Sequence, residues 1–235
     1  MIGILSGSAG LGARIGDVVT QAETPWGMPS TSVRRVHFDR GEALVLNRHG
    51  EGVRIAPHAI NYRANVHALK SAGAEALIAL HTAGGINLAL PAGALLLPDQ
   101  IVDYTWSRLS TYADDTAVHH IEFAEPFDAA LCHRLEAAAA KLGIMLHVGG
   151  VYGCTQGPRL ETAAEINRLE RDGCDVVGMT AMPEAALARE LGMPYASLCV
   201  VVNPAAGRGR IEFAEIRRLS SAAAHDMTLL LNACL

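Results

Sequence analysis

Short aliphatic and β-branched runs alternate along the chain with longer stretches in which apolar residues recur every three or four positions. Gly3 to Leu5, Ala43 to Leu46, Leu77 to Leu80, Leu95 to Leu97, Leu146 to Val151, Val176 to Val177 and Ala196 to Val202 predict strands. Ala59 to Ser71, Asp128 to Leu142, Thr162 to Arg171, Pro183 to Leu191 and Ala214 to Cys234 predict helices. Strands alternating with helices of this length point to βαβ units, an α/β fold with a largely parallel sheet. Gly73, Gly143, Gly173 and Gly192 each follow a helical run, where a left-handed residue ends a helix. No repeat, low-complexity tract or linker breaks the pattern, so residues 1–235 are expected to form a single domain.

The residues after each strand carry the polar chemistry. Leu5 is followed by Ser6, Gly7 and Ser8; Leu46 by Asn47, Arg48 and His49; Leu80 by His81, Thr82, Ala83 and two glycines; Val177 by Gly178, Met179 and Thr180; Val202 by Asn203. Ligands of open α/β sheets bind beyond the carboxyl ends of the strands, so these groups are expected to converge on one rim.

Composition narrows the partners. Half of the 235 residues are hydrophobic and 18% are charged, enough to bury a sizeable core. The net charge of −5, with Lys and Arg scattered, offers no basic stripe for a nucleic-acid backbone. The apolar runs are too short to span a bilayer, and MIGILSGSAG lacks the basic and long apolar regions of a secretory signal, so a cytoplasmic protein is expected. Five cysteines, odd in number and far apart, suit reduced and mostly buried thiols. The ten histidines show no metal-ligand spacing, and the neighbours His119 and His120 cannot face one ion from a regular element, so no metal site is expected.

The segment GSAGLG, Gly7 to Gly12, can turn tightly with its N–H groups exposed, as an anion site requires. It matches neither the dinucleotide nor the triphosphate loop pattern, and by itself equally fits a plain strand-to-helix turn. Arg48 adds a guanidinium fork suited to phosphate oxygens. Thr82 in HTAGG and Thr180 add hydroxyls without bulk. Such a pocket suits a free phosphate dianion without a metal, and a coenzyme phosphate would fit as well.

The chain also resembles a known family, the trimeric purine nucleoside and methylthioadenosine phosphorylases. The motifs that carry the resemblance are GILSGSAGL, RHG followed by INYRAN, HTAGGI, AEPF, GVYGCTQGPRLETAAEI, DVVGMTAMPEAALARELGMPYAS and VVN, spread over nearly the whole chain. Within that family the sequence is most similar to the methylthioinosine phosphorylases. The resemblance implies a mixed, distorted sheet flanked by helices, a ring of three subunits, inorganic phosphate as co-substrate, and no metal or organic cofactor. It places the phosphate groups on Ser8, Arg48, His49, Thr82, Ala83 through its amide, and Thr180, with Ser8 standing where the family more often has Thr. It puts Met179 under the ribose and has His120 lean over the 5' substituent of the neighbouring subunit's site.

At the base pocket this sequence departs from the adenine-specific members. Their acidic TDYD-like segment is replaced by VNPAAG, with Asn203 at the first position and Ala205 at the other. An adenine amine would lose its acceptor, a cost of roughly 1 to 3 kcal/mol in a buried pocket. Glu161 resembles the glutamate with which oxopurine-specific enzymes accept N1–H, with Leu160 beside it, and Asn203 can offer N–H to O6 or its oxygen to a protonated N7. Asn203, Arg48 and His49 are thus the implied catalytic residues, His49 fixing the anion rather than acting as a base. Ile211, Phe213 and Ile216 are apolar where 5'-hydroxyl enzymes tend to carry a polar partner, which favours a methylthio group. Phosphorolysis of 5'-methylthioinosine is the expected activity. Methylthioadenosine phosphorolysis, general inosine/guanosine phosphorolysis, nucleoside hydrolysis and a non-catalytic purine-binding trimer are the alternatives.

Overall fold

In the computed structural model, which describes residues 1–8, 11, 16–52, 54–113 and 120–235, the order along the chain is β1 (Ile2–Ser6), β2 (Asp17–Thr20), β3 (Val33–Phe38), β4 (Gly41–Asn47), a 3-10 turn (Pro57–Ala59), α1 (Tyr62–Ser71), β5 (Ala76–Gly85), β6 (Leu95–Leu97), β7 (Gln100–Asp103), α2 (Ala129–Leu142), β8 (Leu146–Val148), β9 (Val151–Cys154), α3 (Ala163–Arg171), β10 (Val176–Gly178), α4 (Ala181–Glu190), β11 (Tyr195–Pro204) and α5 (Phe213–Cys234). All five predicted helices and all seven predicted strand regions are present.

The differences have local causes. The first helix starts at Tyr62 rather than Ala59, because Pro57 begins a separate turn and the Asn61 side chain caps the Ala64 N–H. The run Leu146 to Val151 is two strands, broken where Gly149 and Gly150 take φ of +89° and +117°, values a β-branched residue would resist. Strands β2, β3 and β7 carry too few apolar positions to stand out: β2 is almost wholly exposed and β7 half-buried. Gly143 ends α2 in the left-handed conformation, φ +67°, as its place after the helix predicts.

The strands form one mixed sheet in the order β2-β3-β4-β1-β5-β10-β9-β7, with β11 beside β5 and leading through β6 to β8. The parallel centre is β4, β1, β5 and β11, in register Ala43, Ile2, Ala76 and, one residue on, Leu77 with Tyr195. The β3–β4 hairpin, the β2–β3 pair, β10 on β5 and β6 on β11 are antiparallel, so the sheet is mixed rather than largely parallel.

Helices cover both faces, and strict alternation sorts the side chains between them. Leu77 and Ala79 of β5, with Cys199 and Val201 of β11, pack toward α1 and α4 beside Val66, Leu69, Ala185 and Leu187. Ile78 and Leu80, with Ala196, Leu198 and Val200, pack toward α2 and α5 beside Leu135, Met227 and Leu230. Burying each such side chain contributes about 1.5–3 kcal/mol, which fixes the sheet's register between the layers. α3 covers a smaller cluster with Ile166 and Leu169 against Val177 and Ala205.

β5 positions the site. One of its edges is paired with β11 throughout. Its other edge pairs with parallel β1 as far as Ala79, then with antiparallel β10 from Gly84. The carboxyl ends of β1 and β10 therefore approach one another across Leu80 to Ala83, and the sheet splits there.

Candidate active site

The split opens into a cavity of about 240 Å³. Ser8, Arg48, His49, Thr82, Ala83 and Thr180 line one end, and Leu160, Glu161, Asn203 and Ala205 line another. Met179 lies on the wall, and Ile211, Phe213 and Ile216 close a third side. The candidate phosphate, sugar and base residues are brought together except His120, which is exposed and does not line the cavity, and of the strand-end groups Ser6 and Asn47 do not line it either. In the Gly7–Gly12 loop, Ala9, Gly10 and Gly12 lie outside the described residues, as does His119. A second hollow of about 490 Å³ shares Glu161 with the first and is walled by Tyr104, Trp106, Thr155, Arg159 and Glu165, and Ser8, Thr82 and Thr180 do not line it.

Arg48 departs from the expected free fork. It is fully buried, and Nε and Nη2 donate to Glu184 Oε1 and Oε2 at 2.6 and 3.0 Å. Nη2 also donates to Leu5 O at 2.9 Å, and Nη1 to Leu80 O at 2.7 Å, the carbonyl left unpaired by the split in the sheet. Four of its five N–H groups are thereby spent, leaving one on Nη1. Burial alone would push the guanidinium down; the Glu184 carboxylate outweighs it and holds Arg48 charged. Gly7 must lack a side chain here, because a Cβ would sit 2.5 Å from Arg48 Nη1.

A buried chain of hydrogen bonds leads on from Glu184. Tyr195 donates to Glu184 Oε2 at 3.2 Å, His81 Nε2 lies 3.2 Å from the Tyr195 hydroxyl, and His81 Nδ1 lies 2.8 Å from Thr180 Oγ1. Burial, with Arg48 next in weight, holds His81 neutral. With the Tyr195 proton on Glu184, His81 must donate from Nε2 and accept at Nδ1. The Thr180 hydroxyl is therefore the donor to His81, and toward the cavity it offers lone pairs.

His49 is neutral for the same reason: burial pushes its pKa down to about 4, with Arg48 and Arg54 adding to the shift and the Ile55 carbonyl opposing it. Its Nδ1–H donates to Ile55 O at 2.9 Å, which leaves Nε2 as an acceptor.

At the opposite end of the cavity, Thr155 donates to Glu161 Oε1 at 2.6 Å, leaving Oε2 open. Asn203 Nδ2 donates to Pro204 O at 2.7 Å, leaving its second N–H and Oδ1. A bulge between Val201 and Asn203 lets the consecutive residues Val202 and Asn203 both face the cavity, which a regular strand forbids. Arg108 ties the walls together, donating to Met179 O, Thr155 O and Gln156 O at 2.9, 3.2 and 2.9 Å.

Glu184, His81, Tyr195, Thr155 and Arg108 were not singled out from the sequence. Only Glu184 left a signal there, a lone acid inside the apolar run MTAMPEAALA that could not be buried without a cation.

The chain is similar to several known proteins. A chain from Pseudomonas syringae pv. tomato named probable S-methyl-5'-thioinosine phosphorylase is 53% identical over 199 residues, covering 83% of this chain and 81% of its own. The 6-oxopurine nucleoside phosphorylase of Pyrococcus furiosus is 40% identical over 222 residues, 91% of this chain and 83% of its own. The structure of Schistosoma mansoni methylthioadenosine phosphorylase with adenine superposes with a TM-score of 0.91 at 28% identity, covering 99% of this chain and 90% of that one. The family model described as phosphorylase superfamily matches residues 1–235. With that match spanning the whole sequence and the strand-end groups gathered in one cavity, the chain belongs to the phosphorylase superfamily.

Proposed function

We propose that the chain phosphorolyses 5'-methylthioinosine to hypoxanthine and 5-methylthioribose 1-phosphate. The observation that carries this reading is a single cavity with anion-binding groups at one end, Glu161 and Asn203 at the other, and Ala205 where an adenine enzyme would place an acid. The substrates in the relatives' names support it.

The proposed chemistry uses inorganic phosphate as co-substrate and no metal or organic cofactor. Phosphate is held by Ser8, the remaining Arg48 N–H, Thr82 and the Ala83 amide. His49 and Thr180 both offer acceptor atoms, and one of the two takes the single O–H of monohydrogen phosphate. The anion approaches C1' as the glycosidic bond breaks, and its charge stabilises the ribosyl cation-like transition state. Asn203 stabilises the negative charge moving onto the purine, which takes up at N7 the proton that the phosphate gives up and leaves as hypoxanthine, and Glu161 Oε2 accepts N1–H. An adenine amine finds no acceptor at Ala205. Phe213, 65% exposed although it lines the cavity, leaves the 5' end open at the surface. A neighbouring subunit would cover it, and the same reading therefore has a homotrimer in which His120 reaches the adjoining site. The buried thiols Cys154, Cys174, Cys199 and Cys234 support a reducing cytoplasmic setting. Among the described residues no helix is long and apolar enough to cross a membrane.

The deciding experiment measures base release from methylthioinosine, methylthioadenosine and inosine, each with and without phosphate. Phosphate-dependent hypoxanthine release, fastest from methylthioinosine, is expected. Release without phosphate would make the protein a hydrolase, adenine release in preference would overturn the base assignment, and binding without turnover would leave a purine-binding module.

A further inference from the structure

The phosphate end of the cavity has little net charge with which to hold a dianion. Arg48 is neutralised by Glu184 and has one N–H left, and His49 is neutral. Glu161 adds a negative charge at the opposite end. An uncompensated cation is needed, and one stands beside Ser8. Arg54 is exposed, makes no ion pair among the described residues, and donates from Nη2 to Ser8 Oγ at 2.5 Å.

Its position is built by the backbone. The Ile55 N–H donates to His49 O at 2.8 Å while His49 Nδ1 donates to Ile55 O at 2.9 Å, so the chain from His49 to Ile55 closes on itself. Arg54, one residue before this double clasp, is thereby carried back to the wall that holds Ser8 and His49. Because Arg54 donates to Ser8 Oγ, the Ser8 hydroxyl keeps its own proton to give to a ligand, and four guanidinium N–H groups remain unused.

We propose that Arg54 is a phosphate-binding residue: held on Ser8 at the edge of the cavity, it supplies the uncompensated positive charge for the incoming anion and polarises the Ser8 hydroxyl toward it. The assignment rests on the phosphorolysis reading above. It divides the work between two arginines. Arg48 is locked in place and shapes the site, whereas Arg54 sits at the solvent edge, where an anion first meets it, and where salt screens it.

The test is steady-state kinetics of the full chain with Arg54→Gln and Arg54→Lys, varying inorganic phosphate at saturating methylthioinosine and then the reverse, at low salt and at added potassium chloride. Arg54→Gln is expected to raise the phosphate KM about tenfold with the nucleoside KM within twofold and an unchanged melting temperature. Arg54→Lys should recover part of the loss, since it restores the charge but not the fork. Added salt should raise the wild-type phosphate KM more than that of the Gln variant. A Gln variant with the wild-type phosphate KM overturns the proposal. So does an equal loss in both KM values together with a lower melting temperature, which would mark a structural role. Wild-type base release without phosphate would instead bring down the phosphorolysis reading itself, and is seen before any variant is made.

Discussion

On the proposed reading, Glu184 holds the site together while Asn203 takes part in the reaction. Glu184 is fully buried, and its carboxylate meets both the Arg48 guanidinium and the Tyr195 hydroxyl. Glu184→Gln would leave a guanidinium charged among apolar side chains, a loss of about 3–5 kcal/mol. Urea denaturation should show an unfolding free energy lower by that amount and a correspondingly lower midpoint, and an unshifted midpoint would mean that Arg48 finds another counter-charge. Asn203, half-buried on the base side, bears no such load. Asn203→Ala is expected to lower kcat by about 100-fold or more while the phosphate KM moves less than threefold, the pattern of an interaction made in the transition state. Surviving turnover with collapsed phosphate affinity would reverse its assignment.

Among the elements, α3 is the one that the proposed function ties to substrate choice, because it begins just after Thr162, the residue that follows Glu161. Thr162 caps it in a reciprocal box: its hydroxyl accepts the Glu165 N–H at 3.1 Å and Glu165 Oε2 accepts the Thr162 N–H at 2.7 Å. Arg159 grips the same Glu165 carboxylate with both terminal nitrogens, at 2.8 and 2.7 Å. Thr162→Ala should therefore cost about 1 kcal/mol, or about 2–4 °C of melting temperature for a chain of this size. It should also raise the nucleoside KM without touching the phosphate KM, since Glu161 loses its footing while the opposite end of the cavity is built on β1, β4 and β5. The start of α3 was legible in the sequence at Thr162, whereas that of α1, expected at Ala59, lies at Tyr62, because Pro57–Ala59 forms its own turn and Asn61 supplies the cap.

For the molecule as a whole, the buried His81 and the half-buried His49 make acid the weak side. His49 is held at about 4 and His81 well below its usual value, both by burial above all. Unfolding returns them to about 6.5, so below that pH the unfolded chain binds more protons and stability falls with pH. The contribution is fully present above about 6.5 and is lost as pH drops through 4. Thermal melts should be flat between pH 8 and 7 and decline from 6.5 downward. His49→Asn should flatten that decline by up to about one proton between pH 6 and 4.5. A His49→Asn slope equal to the wild type would show that His49 is charged in the folded chain.

The sequence by itself determined the alternation of strands and helices, the two apolar faces of each central strand, and the small, hydroxyl-bearing or basic residues that follow the strands. These are local properties, set by side-chain period and by turn chemistry over a few residues. Glu161, Asn203 and Ala205 were legible as candidates because their motifs are contiguous, and the fold places all three along one cavity. The tertiary structure decided that β10 runs against β5 and splits the sheet where β1 ends, since strand direction depends on which partner buries the most surface. It also decided that Arg48 belongs to Glu184, 136 residues away, rather than to the ligand alone. A buried cation must take whichever carboxylate the fold brings beside it, and no spacing along the chain encodes that distance.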